Sequence, residues 1–343
     1  MKGVAKKFIV GLALASMALV ALAGCGSSGN GSSGDSENPN VGVFLLSFAN
    51  SHSQGDKLGA EAAAKKTGAN LTFFDGKFDG ETQLKQIQDA TASGKYDGFV
   101  IFANDGAIIA PAVEDAIKSG IKVVAAYTPI GPNIDTFDQQ IDGLTATVAN
   151  PISGNGTGLA QAAAEACKGN DDCNVAYVSG GFDIPFEALK FKAFEEELGK
   201  HGNMNLTAKA EAPGFLKEEG YKTAQDLLAA HDDIDVYVTS GDQMTFGAEE
   251  AMNDAGVPKG SIALIGNGGT YEAMDAIREG RWFADYVFMQ AKEGGISVDK
   301  VVNAIRNNSD DYEYVDIIKD VSPVGAFVTK ENVDKFTPSA HVG

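Results

Sequence analysis

The residues of this sequence that could do chemistry fall in short polar stretches, each following an apolar, β-branched run. They are Asn50 to Gln54 (with Ser53), Asn104 and Asp105, Tyr127 and Thr128, Phe182 to Phe186, Gly241 to Gln243 (with Asp242), and Asn267 to Gly269. Hydrogen-bonding side chains mixed with aromatic rings suit a hydroxylated small molecule, because each hydroxyl needs a partner and each apolar ring face favours stacking. Reactive constellations are missing. The four histidines, His52, His201, His231 and His341, are scattered and give no zinc-ligand spacing. No G-x-S-x-G elbow and no P-loop occurs. Gly154-Asn155-Gly156-Thr157-Gly158 lacks the G-x-G-x-x-G spacing and reads as a helix entry. Binding without catalysis, cofactor or metal is the expectation.

Several candidates have an equally ordinary structural reading. Asp242 opens a helix, where an Asp often caps, and Asn104 stands just before another. Phe182 and Phe186 could simply close the mouth of a domain. Trp282, the one tryptophan, stands at a strand start and suits core packing better than stacking.

The elements that must position these residues follow from periodicity. Strands are predicted over Val41–Phe48, Asn70–Phe74, Gly98–Phe102 and Lys122–Tyr127, with helices over Ser53–Lys66, Glu81–Ala92 and Ala107–Ser119. A less regular stretch, Pro129 to Pro151, separates them from a second series. That series comprises helix Gly156–Cys167, strand Asn174–Ser179, helix Phe186–Leu198, strand Leu206–Ala210, helix Lys217–Ala230 and strand Val236–Thr239. It continues with helix Thr245–Ala255, strand Ile262–Gly266, helix Tyr271–Arg278, strand Phe283–Phe288 and helix Gly294–Ile305. Continuous apolar strands, each returned by a helix, imply parallel sheets covered on both faces. Two α/β units result. They account for 343 residues better than one core, which rarely exceeds roughly 250.

On these elements stand segments that carry a resemblance. Ala103-Asn104-Asp105-Gly106, Ser119-Gly120-Ile121-Lys122, Ser240-Gly241-Asp242-Gln243 with Gly247-Ala248, and Gly266-Asn267-Gly268-Gly269 with Ala276-Ile277-Arg278-Glu279-Gly280 resemble type I periplasmic binding proteins. Among these the chain looks most like the ribose-binding-like sugar receptors of ABC importers, over about residues 41 to 330. The resemblance implies two Rossmann-like lobes with parallel sheets, joined by a three-crossover hinge, with the ligand between them. It assigns 41–149 plus 288–318 to an N-terminal lobe and 150–287 plus 319–343 to a C-terminal lobe. Carried over residue by residue, the family's sugar-stacking aromatic pair falls on Ser53 and Gln54, its Asp-Arg pair on Tyr127-Thr128, and its second-lobe arginine on Lys190. Its Asn before Asp242 falls on Gly241, a later Asp on Gly268 beside Asn267, and its hinge Gln on Phe288. Losing charge while gaining Tyr127, Phe186 and Phe288 implies a ligand less polar than an unmodified pentose, or of different shape.

The first 24 residues stand apart. Lys2, Lys6 and Lys7 precede the uncharged run Phe8 to Gly24, which is followed at once by a cysteine and reads as an export signal. Leu22-Ala23-Gly24-Cys25 resembles the lipobox of bacterial lipoproteins, which makes Cys25 the lipidated first residue and the membrane a partner through that anchor. Cleavage elsewhere or a retained anchor are the alternatives. Residues 25–40 form a flexible Gly/Ser/Asn tether. In an exported chain Cys167 and Cys173 are expected to pair, two free thiols being the alternative. Removing residues 1–24 takes three lysines and no acid, moving the net charge from −20 to −23. No nucleic acid is expected, since a phosphate-tracking surface needs clustered Lys and Arg. The expected role is therefore that of a monomeric, lipid-anchored extracytoplasmic receptor, handing a sugar-like ligand to an ABC permease driven by a separate ATPase. A sensory subunit for a receptor kinase or chemoreceptor is the alternative, and an extracellular enzyme a third.

Overall fold

The computed structural model describes residues 38–341. The export segment 1–24, Cys25 and the tether through residue 37 lie outside the described residues. β1 (Asn40–Leu45), α1 (Ser51–Thr67), β2 (Asn70–Asp75), α2 (Gly80–Ser93), β3 (Gly98–Phe102), α3 (Gly106–Lys118), β4 (Lys122–Tyr127) and β5 (Ala146–Ala149) form a first series. The second is α4 (Ile152–Ala166), β6 (Cys173–Ser179), α5 (Pro185–Leu198), β7 (Met204–Glu211), α6 (Lys217–Ala230), β8 (Val236–Thr239), α7 (Asp242–Asp254), β9 (Ala263–Gly268), α8 (Tyr271–Arg278) and β10 (Ala284–Val287). The chain then adds α9 (Gln290–Asn307), β11 (Glu313–Asp316), α10 (Ile317–Val321) and β12 (Phe327–Thr329).

Two six-stranded sheets result, in the orders β11-β5-β4-β3-β1-β2 and β12-β10-β9-β8-β6-β7. Every neighbouring pair is parallel except β10 with β12. Both faces of the first sheet are covered. Val41, Val43 and Leu45 of β1 pack into one apolar cluster, while Phe44 between them joins another with Phe99, Ile101 and Ile109. In each sheet the strand order reverses beside the first strand, between β1 and β3 and between β6 and β8. That is where a doubly wound sheet opens a crevice at its carboxyl edge.

The structure corrects several boundaries. The stretch Pro129 to Pro151 contains β5, a buried four-residue strand between β4 and β11. Together with β11 and β12 it was too short to carry a period. β1 ends at Leu45 instead of Phe48, and α4 begins at Ile152, so the glycine-rich stretch forms its first turns. The chain passes from the first sheet to the second between β5 and α4, returns between β10 and α9, and passes again between β11 and β12.

The return helix α9 crosses α1 at backbone contact. A Cβ on Gly59 would lie 2.0 Å from the Ala291 carbonyl oxygen, and one on Gly294 would lie 2.1 Å from that of Asp56. Only glycine permits this approach, which brings the acidic side chains of α1 and α9 together.

Cys167, the residue capping α4, and Cys173, the first of β6, form a disulfide with Cα atoms 5.8 Å apart. The loop it closes has a sequence separation of six, so its entropic effect is modest, roughly 2 kcal/mol. Cys167→Ala/Cys173→Ala should therefore still fold, with a stability loss of about that size in urea titration. A loss several times larger would mean that the bond does more than restrict the unfolded chain.

Candidate functional site

The carboxyl edges of both sheets face one interlobe cavity. From the first sheet come Asn50, Ser51 and His52 after β1, Phe78 after β2, and Tyr127 at the end of β4. The second contributes Phe186, Phe215, Ser240 to Gln243, Asn267 and Gly268, and Phe288 and Gln290 lie where the chain returns. Asn50 also caps α1, its side-chain oxygen accepting the His52 amide at 2.9 Å.

Aromatic rings fill most of the space. His52 meets Tyr127 and Phe288 edge to face at 5.0 and 4.8 Å between centroids. Tyr127 meets Phe186 across the gap at 5.2 Å, as Phe78 meets Phe215 at 5.1 Å. The Ser51 amide donates across the gap to Gln243 Oε1 at 3.2 Å. The remaining cavity is about 40 Å³, against the roughly 300–1,000 Å³ of ordinary ligand pockets. The lobes must part, or the rings swing, to admit a ring-sized molecule.

Three of these rings sit on left-handed backbone, with φ of 54° at Phe78, 67° at Tyr127 and 59° at Phe215. Such geometry costs a bulky L-residue roughly 1–3 kcal/mol and clusters at ligand clamps. Burial, then the charges of Glu187 and Glu293, raise the Tyr127 pKa well above its usual value. The phenol stays protonated and able to donate.

Of the residues singled out in the sequence, the fold brings Asn50, Tyr127, Phe186, Asp242, Asn267 and Phe288 to this cavity. It does not bring Ser53, Gln54, Asn104 or Lys190 to the wall. Ser53 is buried inside α1, its hydroxyl 3.4 Å from the Ser47 amide. Gln54 is exposed and donates to the Phe48 carbonyl. Asn104 is buried behind the cavity, donating to the Leu46 carbonyl at 3.2 Å, and the cap of α3 is Asp105 instead. Lys190 is neither a solvated lysine nor a wall residue. It is 1% exposed and ion-paired to the buried Glu187, which also accepts from Ser179 Oγ at 2.8 Å.

Asp242 does not cap its own helix, whose cap is Gly241. Its Oδ1 accepts the Asn267 amide at 3.1 Å, and its Oδ2 accepts the Thr270 amide and hydroxyl at 3.0 and 2.7 Å. A Cβ on Gly268 would stand 2.5 Å from Asp242 Cγ, so glycine there leaves the carboxylate its place. The Asn267 amide is matched by Asn155, each donating to the other at 3.1–3.3 Å. Trp282 is core, donating to Glu249 at 3.0 Å.

Sequence reasoning passed over His52 as a site residue, although it lies in the first polar stretch. It also missed Phe215, which follows a strand it ended one residue early. Asp285, Asp56 and Glu293 had no signal at all. Asp285 is fully buried behind Asp242, and burial followed by the Asp242 charge raises its pKa well above the usual carboxylate range. Its Oδ2 accepts the Gly269 amide at 2.8 Å, and its Oδ1 has no protein donor, which fits a proton held between the two acids. Asp56, also raised well above that range by burial and then by the Glu293 charge, faces His52.

Two doubly wound sheets turning their carboxyl edges to one cavity, linked by three chain crossings, define the two-lobed type I periplasmic binding protein fold. The chain belongs to the periplasmic binding protein family: residues 41–309 match the periplasmic binding protein domain. A ribose import binding protein of Bacillus subtilis is 25% identical over 239 residues, 70% of this chain and 72% of that one. A xylitol-binding protein of Mycolicibacterium smegmatis is 22% identical over 303 residues, 88% of this chain and 80% of that one. Among solved structures, a solute-binding protein of Actinobacillus succinogenes with bound D-allose has a TM-score of 0.74 at 20% identity, covering 87% of this chain and all of that one. One of Bacillus halodurans with bound myo-inositol scores 0.73 at 22%, covering 88% and 98%.

The Asp242–Asp285 pair gives a pH signature. A carboxyl with folded pKa raised above 3.8 holds a proton that the unfolded chain has lost, so stability falls as pH rises from that value towards the folded pKa. Asp285→Asn retains an acceptor for Gly269 and a donor for Asp242. Its urea midpoint should fall less than that of the wild type as the pH is raised above the ordinary carboxylate range. Parallel declines would place no shared proton there.

Proposed function

We propose that this protein captures a sugar or sugar-like ligand between its lobes and delivers it to an ABC permease served by a separate ATPase. The observation that carries the reading is the cavity, built from both sheets at their carboxyl edges, where aromatic faces stand beside Asn50, Asp242, Asn267 and Gln243. Relatives whose names or bound ligands are ribose, xylitol, D-allose and myo-inositol support the ligand class. Lobes of residues 41–149 plus 288–318 and 150–287 plus 319–343 would close on the ligand, because contacts to both sides exist only when closed. Five aromatic rings with few charged groups favour a ligand with at least one extended apolar face.

Titration calorimetry against pentoses, hexoses, polyols and cyclitols tests this. At least one should bind at 1:1, and at 100 times its dissociation constant it should stabilise the fold by about 2.7 kcal/mol. Tyr127→Ala and Phe186→Ala should each weaken that ligand about tenfold or more, about 1.4 kcal/mol, while Gln54→Ala leaves affinity unchanged. Silence across the panel, or equal affinity in both ring variants, would defeat the assignment.

The same reading includes a lipid on Cys25 that holds the receptor outside the cytoplasm at the membrane. Cys25→Ser should then release the protein to the soluble fraction or leave it as unprocessed precursor. A correctly processed Cys25→Ser protein still held in the membrane fraction would refute the anchor.

A further inference from the structure

Behind the cavity, where α1 crosses α9, three side chains turn toward one point. His52 Nε2 lies 3.3 Å from Asp56 Oδ2 and 3.7 Å from Glu293 Oε2, and the three donor atoms all fall within 4.8 Å of one another. Asp56 is fully buried, yet neither of its carboxylate oxygens receives a hydrogen bond, and His52 Nε2 also lacks one. The His52 contacts are ion-pair approaches without hydrogen-bond alignment. Glu293 is half-committed: Oε1 accepts the Tyr127 amide at 2.8 Å, which leaves Oε2 for the cluster.

This arrangement is hard to account for as packing. An unpaired buried carboxylate costs several kcal/mol, and in either protonation state both Asp56 oxygens are left without a hydrogen-bond partner. Both acids share His52 as their ion-pair partner. A divalent cation would balance the site, and the spacing fits one kind. Ligands held tetrahedrally at about 2.0–2.1 Å from zinc stand about 3.4 Å apart, close to the two distances measured from His52. One imidazole with two carboxylates is a zinc donor set. Calcium and magnesium prefer six or more oxygens, which one imidazole and two carboxylates do not supply.

We infer that His52, Asp56 and Glu293 form a divalent transition-metal site, best suited to zinc, which ties α1 to α9 at the base of the cavity. The site is preorganised from two sides. His52 and Asp56 stand one helical turn apart on α1, so their side chains share a face. Glu293 is fixed by its Tyr127 bond and by the glycine contacts that seat α9 on α1. His52 also lines the cavity, so the metal and the solute would share a residue while using different donor groups.

The experiment uses the full chain carrying Cys25→Ser, so that the cysteine outside the disulfide cannot ligate. After chelator treatment and dialysis, zinc chloride is titrated by calorimetry and followed by thermal melting, with no sugar present. One zinc per chain and a raised melting temperature are expected. Asp56→Asn should abolish that binding event and Glu293→Gln should weaken it at least tenfold. Both exchanges preserve shape, and a cooperative melt in chelator certifies the fold. His52→Gln provides a second route should either variant fail to fold, and it too should lose the event. Absence of a saturable 1:1 event in the parent overturns the inference, as does zinc binding with unchanged affinity in the folded variants, which would locate the ion on exposed acids. Sugar binding read separately distinguishes the two proposals, since neither outcome presupposes the other.

Discussion

Removing a carboxylate from water costs more than almost any other step in folding, and the closed cleft of this protein is surrounded by five of them. Glu187, Asp242, Asp285, Asp56 and Glu293 are all nearly or fully buried. Each arrangement answers the same cost differently. Glu187 is matched by Lys190 and by Ser179. Asp242 receives three donors and stands against Asp285, whose pKa burial and the Asp242 charge raise. Asp56 and Glu293 have one imidazole between them. These groups sit immediately behind the rings that line the cavity, so the charge arrangement and the cleft shape are fixed together. Glu293 holds Tyr127 in its left-handed backbone, and Asp242 holds Asn267 and Thr270. A change in one acid therefore acts on binding through the ring or loop it holds.

The rings in turn set the energetics of closure. Tyr127 against Phe186 and Phe78 against Phe215 cross from one lobe to the other, and an aromatic pair contributes about 0.5–1.5 kcal/mol beyond its buried area. A closed form is thus partly stabilised by the protein itself. A ligand shifts the equilibrium only by what it adds over those contacts, which favours molecules that keep the rings stacked on a face of their own.

Much of this was legible in the sequence, and the failures have physical reasons. Alternation of apolar strand and amphipathic helix set out both α/β units, since it reports the burial of each sheet on two faces. β5, β11 and β12 escaped because three or four residues cannot display a period. The carboxyl-edge rule located Asn50, Tyr127, Phe186, Asp242 and Asn267, because it depends on chain direction alone. It could not tell a wall residue from its neighbour. Ser53, one position beyond His52, turns into the helix core, whereas His52 faces the cavity. Lys190, the position of the family's second-lobe arginine, turns inward to the buried Glu187 three positions earlier, and nothing in an i,i+3 spacing distinguishes such a buried pair from a surface one. Pairings such as Asp242 with Asp285 and Asp56 with Glu293 depend on which elements pack against each other in the fold. No local pattern carries that.

The α1–α9 crossing connects these observations, because α9 is the helix that returns the chain from the second sheet to the first. Its head carries Phe288 and Gln290 into the cavity, and Gln290 Nε2 donates to the Gly268 carbonyl, at the end of β9 in the other lobe, at 2.5 Å. One turn of backbone contact, through Gly59 and Gly294, then binds α9 to α1, the helix that presents Asn50 and His52. A rigid crossing of this kind moves as one piece with the first lobe. At this one of the three crossings, a change in the angle between the lobes would fall on the short segment around Phe288 and Met289, where the backbone is no longer strand and not yet helix. The residue that the ligand would touch and the residue that must bend are then adjacent in the chain, so occupancy of the cavity and the angle between the lobes are read by the same few bonds.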